Sequence, residues 1–72
     1  MTAVAIEPVS YSYETAAAAT GYSQDVLQRA VRAGDLAVRY PRVNGRALSK
    51  PVIEREELAR WVNEGSPDRP SP

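Results

Sequence analysis

The chain has 72 residues, nine Lys plus Arg balanced by nine Asp plus Glu, 43% apolar residues, and neither Cys nor His. That length suits one small domain, since a core needs roughly 100 residues per unit, and a core this small contributes only ~3 to 5 kcal/mol without a staple. The missing Cys and His exclude disulfides and the usual zinc, haem and iron–sulfur ligands, and they remove the commonest proton carrier near neutral pH and the thiol nucleophile, so neither an enzyme nor a cofactor is expected.

Residues 1–10 hold a Val4, Ile6 alternation broken by Pro8, which reads as a flexible arm or a short added strand. This stretch carries Glu7 but no Lys or Arg, unlike a signal peptide, and nowhere do apolar residues approach the ~18 in a row that span a bilayer. The expected location is the cytoplasm, with no membrane partner. Ser12 then precedes Tyr13-Glu14-Thr15 and four Ala; an N-cap hydroxyl, an early acid and strong helix formers predict a helix that Gly21 ends. Ser23 caps a second helix over Gln24 to Ala33, closed by Gly34, with Leu27, Ala30 and Val31 on one face. Ala16 and Ala17 are small enough to let Leu27 and Val31 approach closely, so the two helices read as a helix-turn-helix.

Leu36 to Tyr40 alternates, Asn44-Gly45 is a strong two-residue hairpin signal, and Arg46 to Ile53 returns. A type I′ turn pairs Val43 with Arg46, and counting back pairs Arg42 with Ala47, Tyr40 with Ser49, Arg39 with Lys50, Val38 with Pro51 and Leu36 with Ile53. One face is then Leu36, Val38, Tyr40 and Ile53. The other sets Arg39 against Lys50, a clash that an external anion would relieve, although a bulge near Pro41 would shift the register. Glu54 to Glu64 reads as a third helix with a core stripe of Leu58, Trp61 and Val62, the Trp filling the space between hairpin and helices. Gly65 to Pro72 has three Pro and no residue able to join a core, which predicts a disordered tail. The expected layout is an arm over 1–10, one mainly helical domain with a β-hairpin over 11–64 (α-α-β-β-α), and a tail over 65–72.

Zero net charge conceals a gradient. Arg29, Arg32, Arg39, Arg42, Arg46 and Lys50 face only Asp35 within residues 29–50, a local balance of +5 that suits a polyanion. A helix of this size fits the major groove of duplex DNA, and a hairpin tip lies on its backbone or minor groove. With Leu27, Ala30 and Val31 turned inward, Gln24, Asp25, Gln28 and Arg29 face outward near the start of the second helix, with Arg32 one turn on. Arg29 suits guanine, Gln28 adenine, and Asp25 a cytosine amino group; Asp25 also suits the helix macrodipole, and Arg29 a surface ion pair with Asp25. Arg39, Arg42, Arg46 and Lys50, flanking Asn44-Gly45, are suited to phosphates, and about five neutralised phosphates give a salt slope near −4.5. Adjacent Glu56 and Glu57 point about 100° apart on a helix and so make no catalytic pair.

In order along the chain, Ser12-Tyr13-Glu14-Thr15-Ala16-Ala17, the Gly21-Tyr22-Ser23 turn, the Gly34-Asp35-Leu36 exit, Asn44-Gly45-Arg46 and Glu57-Leu58-Ala59-Arg60-Trp61-Val62 resemble the winged helix-turn-helix domains of the excisionase and MerR-like superfamily, over roughly residues 11–63. The resemblance implies double-stranded DNA binding by the helix from Ser23 and by the hairpin wing (Ser23, Gln24, Asp25, Gln28, Arg29, Arg32, Arg39, Arg42, Asn44, Gly45, Arg46 and Lys50), without catalytic or metal-binding residues. It further implies a phage-type excisionase, or recombination directionality factor, that binds cooperatively, bends DNA and steers an integrase in the bacterial cytoplasm. No long dimerisation helix follows Trp61, which departs from a full MerR-type sensor. A small Cro-type or other transcription regulator working with RNA polymerase is the alternative. A further one is a protein-interaction adaptor using Glu54, Glu56 and Glu57 or the Pro-rich tail.

Overall fold

The computed structural model describes residues 8–67. Its first regular element, β1 (Ser10–Tyr11), leads into helix α1 (Tyr13–Thr20). The Ser12 hydroxyl accepts from the Thr15 amide at 3.1 Å while the Thr15 hydroxyl accepts from the Ser12 amide at 2.9 Å, so two free amides of the first turn are satisfied reciprocally. At the other end Gly21 is left-handed (φ 83°) and donates to the Ala17 carbonyl at 2.8 Å. The Thr20 hydroxyl donates to the Ala16 carbonyl and accepts from the Tyr22 amide, stitching the turn between the helices.

Helix α2 (Gln24–Arg32) starts at Ser23, whose hydroxyl accepts from the Val26 amide at 3.2 Å. It stops in a Schellman arrangement: Asp35 N donates to Ala30 O and Gly34 N to Val31 O, with Gly34 left-handed at φ 84°. The sharp reversal sends Leu36 into the core, where it is 1% exposed.

The hairpin tip matches the sequence expectation. Strands β2 (Arg42–Val43) and β3 (Arg46–Ala47) pair Val43 with Arg46 and Arg42 with Ala47, and both Asn44 (φ 53°) and Gly45 (φ 78°) have the positive φ of a type I′ turn. Below the tip the register changes. Leu48 N still donates to Pro41 O at 2.7 Å, but Arg39 then exchanges both backbone bonds with Val52, not Lys50. One residue, Tyr40, thus spans on one side what Ser49, Lys50 and Pro51 span on the other. Pro41 has no amide with which to complete its pair with Leu48, so the ladder is weakest there and the return strand bulges. A slip of two residues preserves the alternation of faces, so Leu36, Val38 and Ile53 stay inward, whereas Tyr40 is half exposed at 50%.

Strand β4 (Ile53–Glu54) pairs antiparallel with β1, Ser10 opposite Glu54 and Tyr11 opposite Ile53, and Arg55 N donates to Val9 O. Val9 and Ser10 are thus tied by backbone bonds to the start of the third helix. The Val4, Ile6 alternation and residues 68–72 lie outside the described residues. Helix α3 (Arg55–Asn63) follows, with Glu56 and Glu57 in its first turn.

Ala16, Leu27, Ala30, Leu36, Ile53 and Leu58 form the buried core; Tyr11, Tyr13, Ala17, Val31, Val38 and Trp61 pack around it. Trp61 is half-buried and meets the Tyr22 ring edge-on at 5.9 Å. Val62, expected in the stripe, is 52% exposed because the core is reached by Leu58 and Trp61 alone on that helix. The result is a mainly helical layout of three helices with a two-strand antiparallel hairpin.

A polar clamp joins α3 to the segment entering the hairpin. Glu57 Oε2 accepts from the Ala37 amide at 2.8 Å, and Arg60 binds both carboxylate oxygens of Glu57 while donating to the Asp35 carbonyl at 2.9 Å. The Arg60 bond, reinforced by the Ala37 amide, holds the Glu57 carboxyl at about 2, well below its usual 4.5.

Two outcomes follow for stability. Leu27→Ala is expected to cost about 2 to 5 kcal/mol in urea unfolding, enough to depopulate a domain this small. A carboxylate with a depressed folded pKa stabilises fully above its unfolded value, so the Glu57 contribution is complete above about pH 4.5 and is lost as pH falls through about 2. Glu57→Gln should lower stability at pH 7 and flatten the decline between those values, read by unfolding at pH 3 and pH 7.

Candidate nucleic-acid interface

Helix α2 buries Leu27 and Ala30 and leaves a polar flank in solvent. Gln24, Asp25, Arg29 and Arg32 are exposed, and Gln28 is half-buried. Ser23 is exposed, but its hydroxyl is committed to the Val26 amide, so its first task is to begin the helix. Arg29 Nε lies 3.2 Å from Asp25 Oδ2, with the two side chains 68% and 70% exposed. An exposed i, i+4 pair of this kind contributes only ~0.3 to 0.5 kcal/mol. Arg32 makes one long contact, from Nε to the Gln28 carbonyl at 3.5 Å.

On the hairpin, Arg42, Asn44, Gly45, Arg46 and Lys50 are all exposed. Among the described residues no acid pairs with Arg42, Arg46 or Lys50, so three cations are held in water by the rigid I′ turn and its bulged stem. Arg39 behaves differently from the sequence expectation. The slip takes it away from Lys50, and its Nε instead donates to Glu54 Oε1 at 2.6 Å. That bond raises the Arg39 pKa above its ordinary value, with the Glu54 charge adding to the effect. An internal carboxylate thus does what an external anion was expected to do at this position.

The Tyr13 phenol is shifted upward, first by burial and then by the Tyr40 phenol, while the Arg32 guanidinium opposes the shift. Alternation along the strand assigns Tyr40 to the inward face, yet it is 50% exposed. Pro41 immediately after it was the available signal that the strand could not continue regularly.

Hydroxyl, carboxylate, amide and guanidinium groups are present without any His or Cys, and among the described residues no cluster of acids has the makings of a metal site. Nor is any described helix long and apolar enough to cross a membrane. No family model, curated protein or solved structure matches this chain.

Because they touch no acid, the hairpin cations should be dispensable for folding. Arg42→Ala, Arg46→Ala and Lys50→Ala are each expected to change the unfolding free energy by less than about 0.5 kcal/mol. Urea titration checks this, and a larger loss at any of them would reveal a structural duty there.

Proposed function

We propose that the protein is a winged helix-turn-helix that binds double-stranded DNA, with α2 in the major groove and the β2–β3 hairpin as the wing on the backbone. The single observation that carries this reading is that the hairpin cations Arg42, Arg46 and Lys50 and the α2 residues Gln24, Asp25, Arg29 and Arg32 are all exposed, none of them needed to fill the core. Arg29 and Gln28 are the base-reading candidates; Arg32, Arg42, Arg46 and Lys50 are the phosphate ligands. Asn44 and Gly45 shape the tip.

Within this class the reading is a phage-type excisionase that bends DNA and steers an integrase, and otherwise a small transcription regulator acting with RNA polymerase. Stimulation of excision by a cognate integrase favours the first, and promoter repression without it the second. A protein-interaction adaptor is a second reading, favoured by an open apolar groove of about 390 Å3 between α1 and α3, lined by Ala19, Tyr22, Leu58 and Val62 among others. The acidic face first considered for it is already engaged: Glu54 by Arg39, Glu56 by Arg55 and Glu57 by Arg60.

Fluorescence anisotropy with duplex DNA across a salt series tests the reading. With Arg39 committed to Glu54, about four phosphate contacts give a log–log slope near −3.6. Arg29→Ala should cost ~1 to 3 kcal/mol on the preferred site and relax one base position, whereas Arg46→Ala should weaken all sequences alike and reduce the slope by about one. No binding to any duplex at low salt would overturn the DNA reading and leave the adaptor.

A further inference from the structure

Among the described residues Arg29, Arg39, Arg55 and Arg60 pair with carboxylates, and Arg60 differs from Arg29 and Arg39 in how many of its nitrogens are engaged. Arg60 is fully occupied: Nε and Nη2 bind Glu57, Nη2 also reaches the Asp35 carbonyl, and Nη1 binds Glu64 at 3.1 Å. Its contacts serve the fold. Arg39 instead donates a hydrogen bond from Nε to Glu54, and Arg29 faces Asp25 through Nε in an ion pair at 3.2 Å. Among the described residues no hydrogen bond takes up Nη1 or Nη2 of either.

A guanidinium whose Nε side faces a carboxylate keeps the far edge of its fork open, and that edge carries the two parallel N–H groups that match guanine O6 and N7. A free Arg would have to lose its rotamer entropy at the moment of binding, while one already oriented by a neighbour loses less. Asp25 sits one turn before Arg29 on the exposed flank of α2, and the pair is too solvated to serve stability much. A bare carboxylate there also repels the phosphates of a wrongly placed duplex, which penalises loose binding.

Resting on the DNA reading above, we propose that Asp25 is a positioning residue for base recognition: it holds Arg29 by Nε so that Nη1 and Nη2 face a guanine edge. Its role is therefore in discrimination. It contributes little to gross affinity and directly touches no base.

The test compares wild type with Asp25→Asn, Asp25→Glu, Arg29→Ala and Asp25→Asn/Arg29→Ala. The probes are the duplex enriched by wild type from a randomised pool and a scrambled duplex of the same composition, with thermal unfolding of each variant measured alongside. Asp25→Asn should lower the ratio of the two affinities about tenfold while binding to the scrambled duplex holds or strengthens, since a repelling charge is gone. Asp25→Glu should recover part of the ratio. The double variant should lose no more discrimination than Arg29→Ala alone, because both changes remove one interaction. A wild-type ratio in Asp25→Asn, or fully additive losses in the double variant, overturns the positioning role while duplex binding by wild type leaves the DNA reading standing. Wild type that binds neither duplex overturns both. A variant that is merely less stable at the N-terminus of α2 would shift the unfolding midpoint with both affinities falling together, and that result also counts against the proposal.

Discussion

Helix α3 ties down with two side chains the segment that leaves α2, and the path of the chain toward the hairpin starts from that grip. Among the described residues six apolar residues are buried and no polar or charged residue is buried with them, so the core alone has few ways to set the direction in which the chain leaves α2. The Schellman turn at Gly34 reverses the chain, Leu36 enters the core, and Glu57 and Arg60 then bind the Ala37 amide and the Asp35 carbonyl from the other side. Backbone groups that a short exit loop would otherwise leave to solvent become directional ties. The stem of β2 and β3 inherits its orientation from them, and with it the three hairpin cations.

The same chemistry sorts the arginines by how far they are engaged. Arg60 uses all three nitrogens on its own fold, and its carboxylate partner Glu57 is only 19% exposed. Arg42 and Arg46 have no acid partner among the described residues. Arg29 and Arg39 stand between, each facing one carboxylate through Nε. A net charge of zero thus describes the molecule poorly. The acids concentrate on α3 and the strand before it, where they serve the fold, while unpaired positive charge collects on the hairpin.

Much of this was legible in the sequence wherever a local signal decided the outcome. Ser12, Ser23, Gly21 and Gly34 begin and end the first two helices as their side chains or φ angles require, and Asn44-Gly45 fixes the first two pairs of the hairpin. The miscounts lie where an outcome depended on residues distant in the chain. Arg39 and Glu54 are 15 positions apart, and no periodicity links them. Pairing of Ser10–Tyr11 with Ile53–Glu54 was equally invisible, since neither stretch is long enough to alternate. Val62 obeyed the helical spacing yet found no core left to enter. The site followed the same division: exposed helix and hairpin residues were readable from the pattern, and the fate of Arg39 was not.

Ile53–Glu54 lies between two neighbours, with Arg39 bonded to the preceding Val52 and Ser10–Tyr11 bonded alongside. The small strand at the beginning of the described chain therefore acts as a cover for an otherwise open backbone edge. Expression vectors that trim away Val9 to Tyr11 would bare amides and carbonyls next to the buried Ile53, and such material would stick to itself. Purification handles are better joined ahead of that strand with a spacer than in place of it.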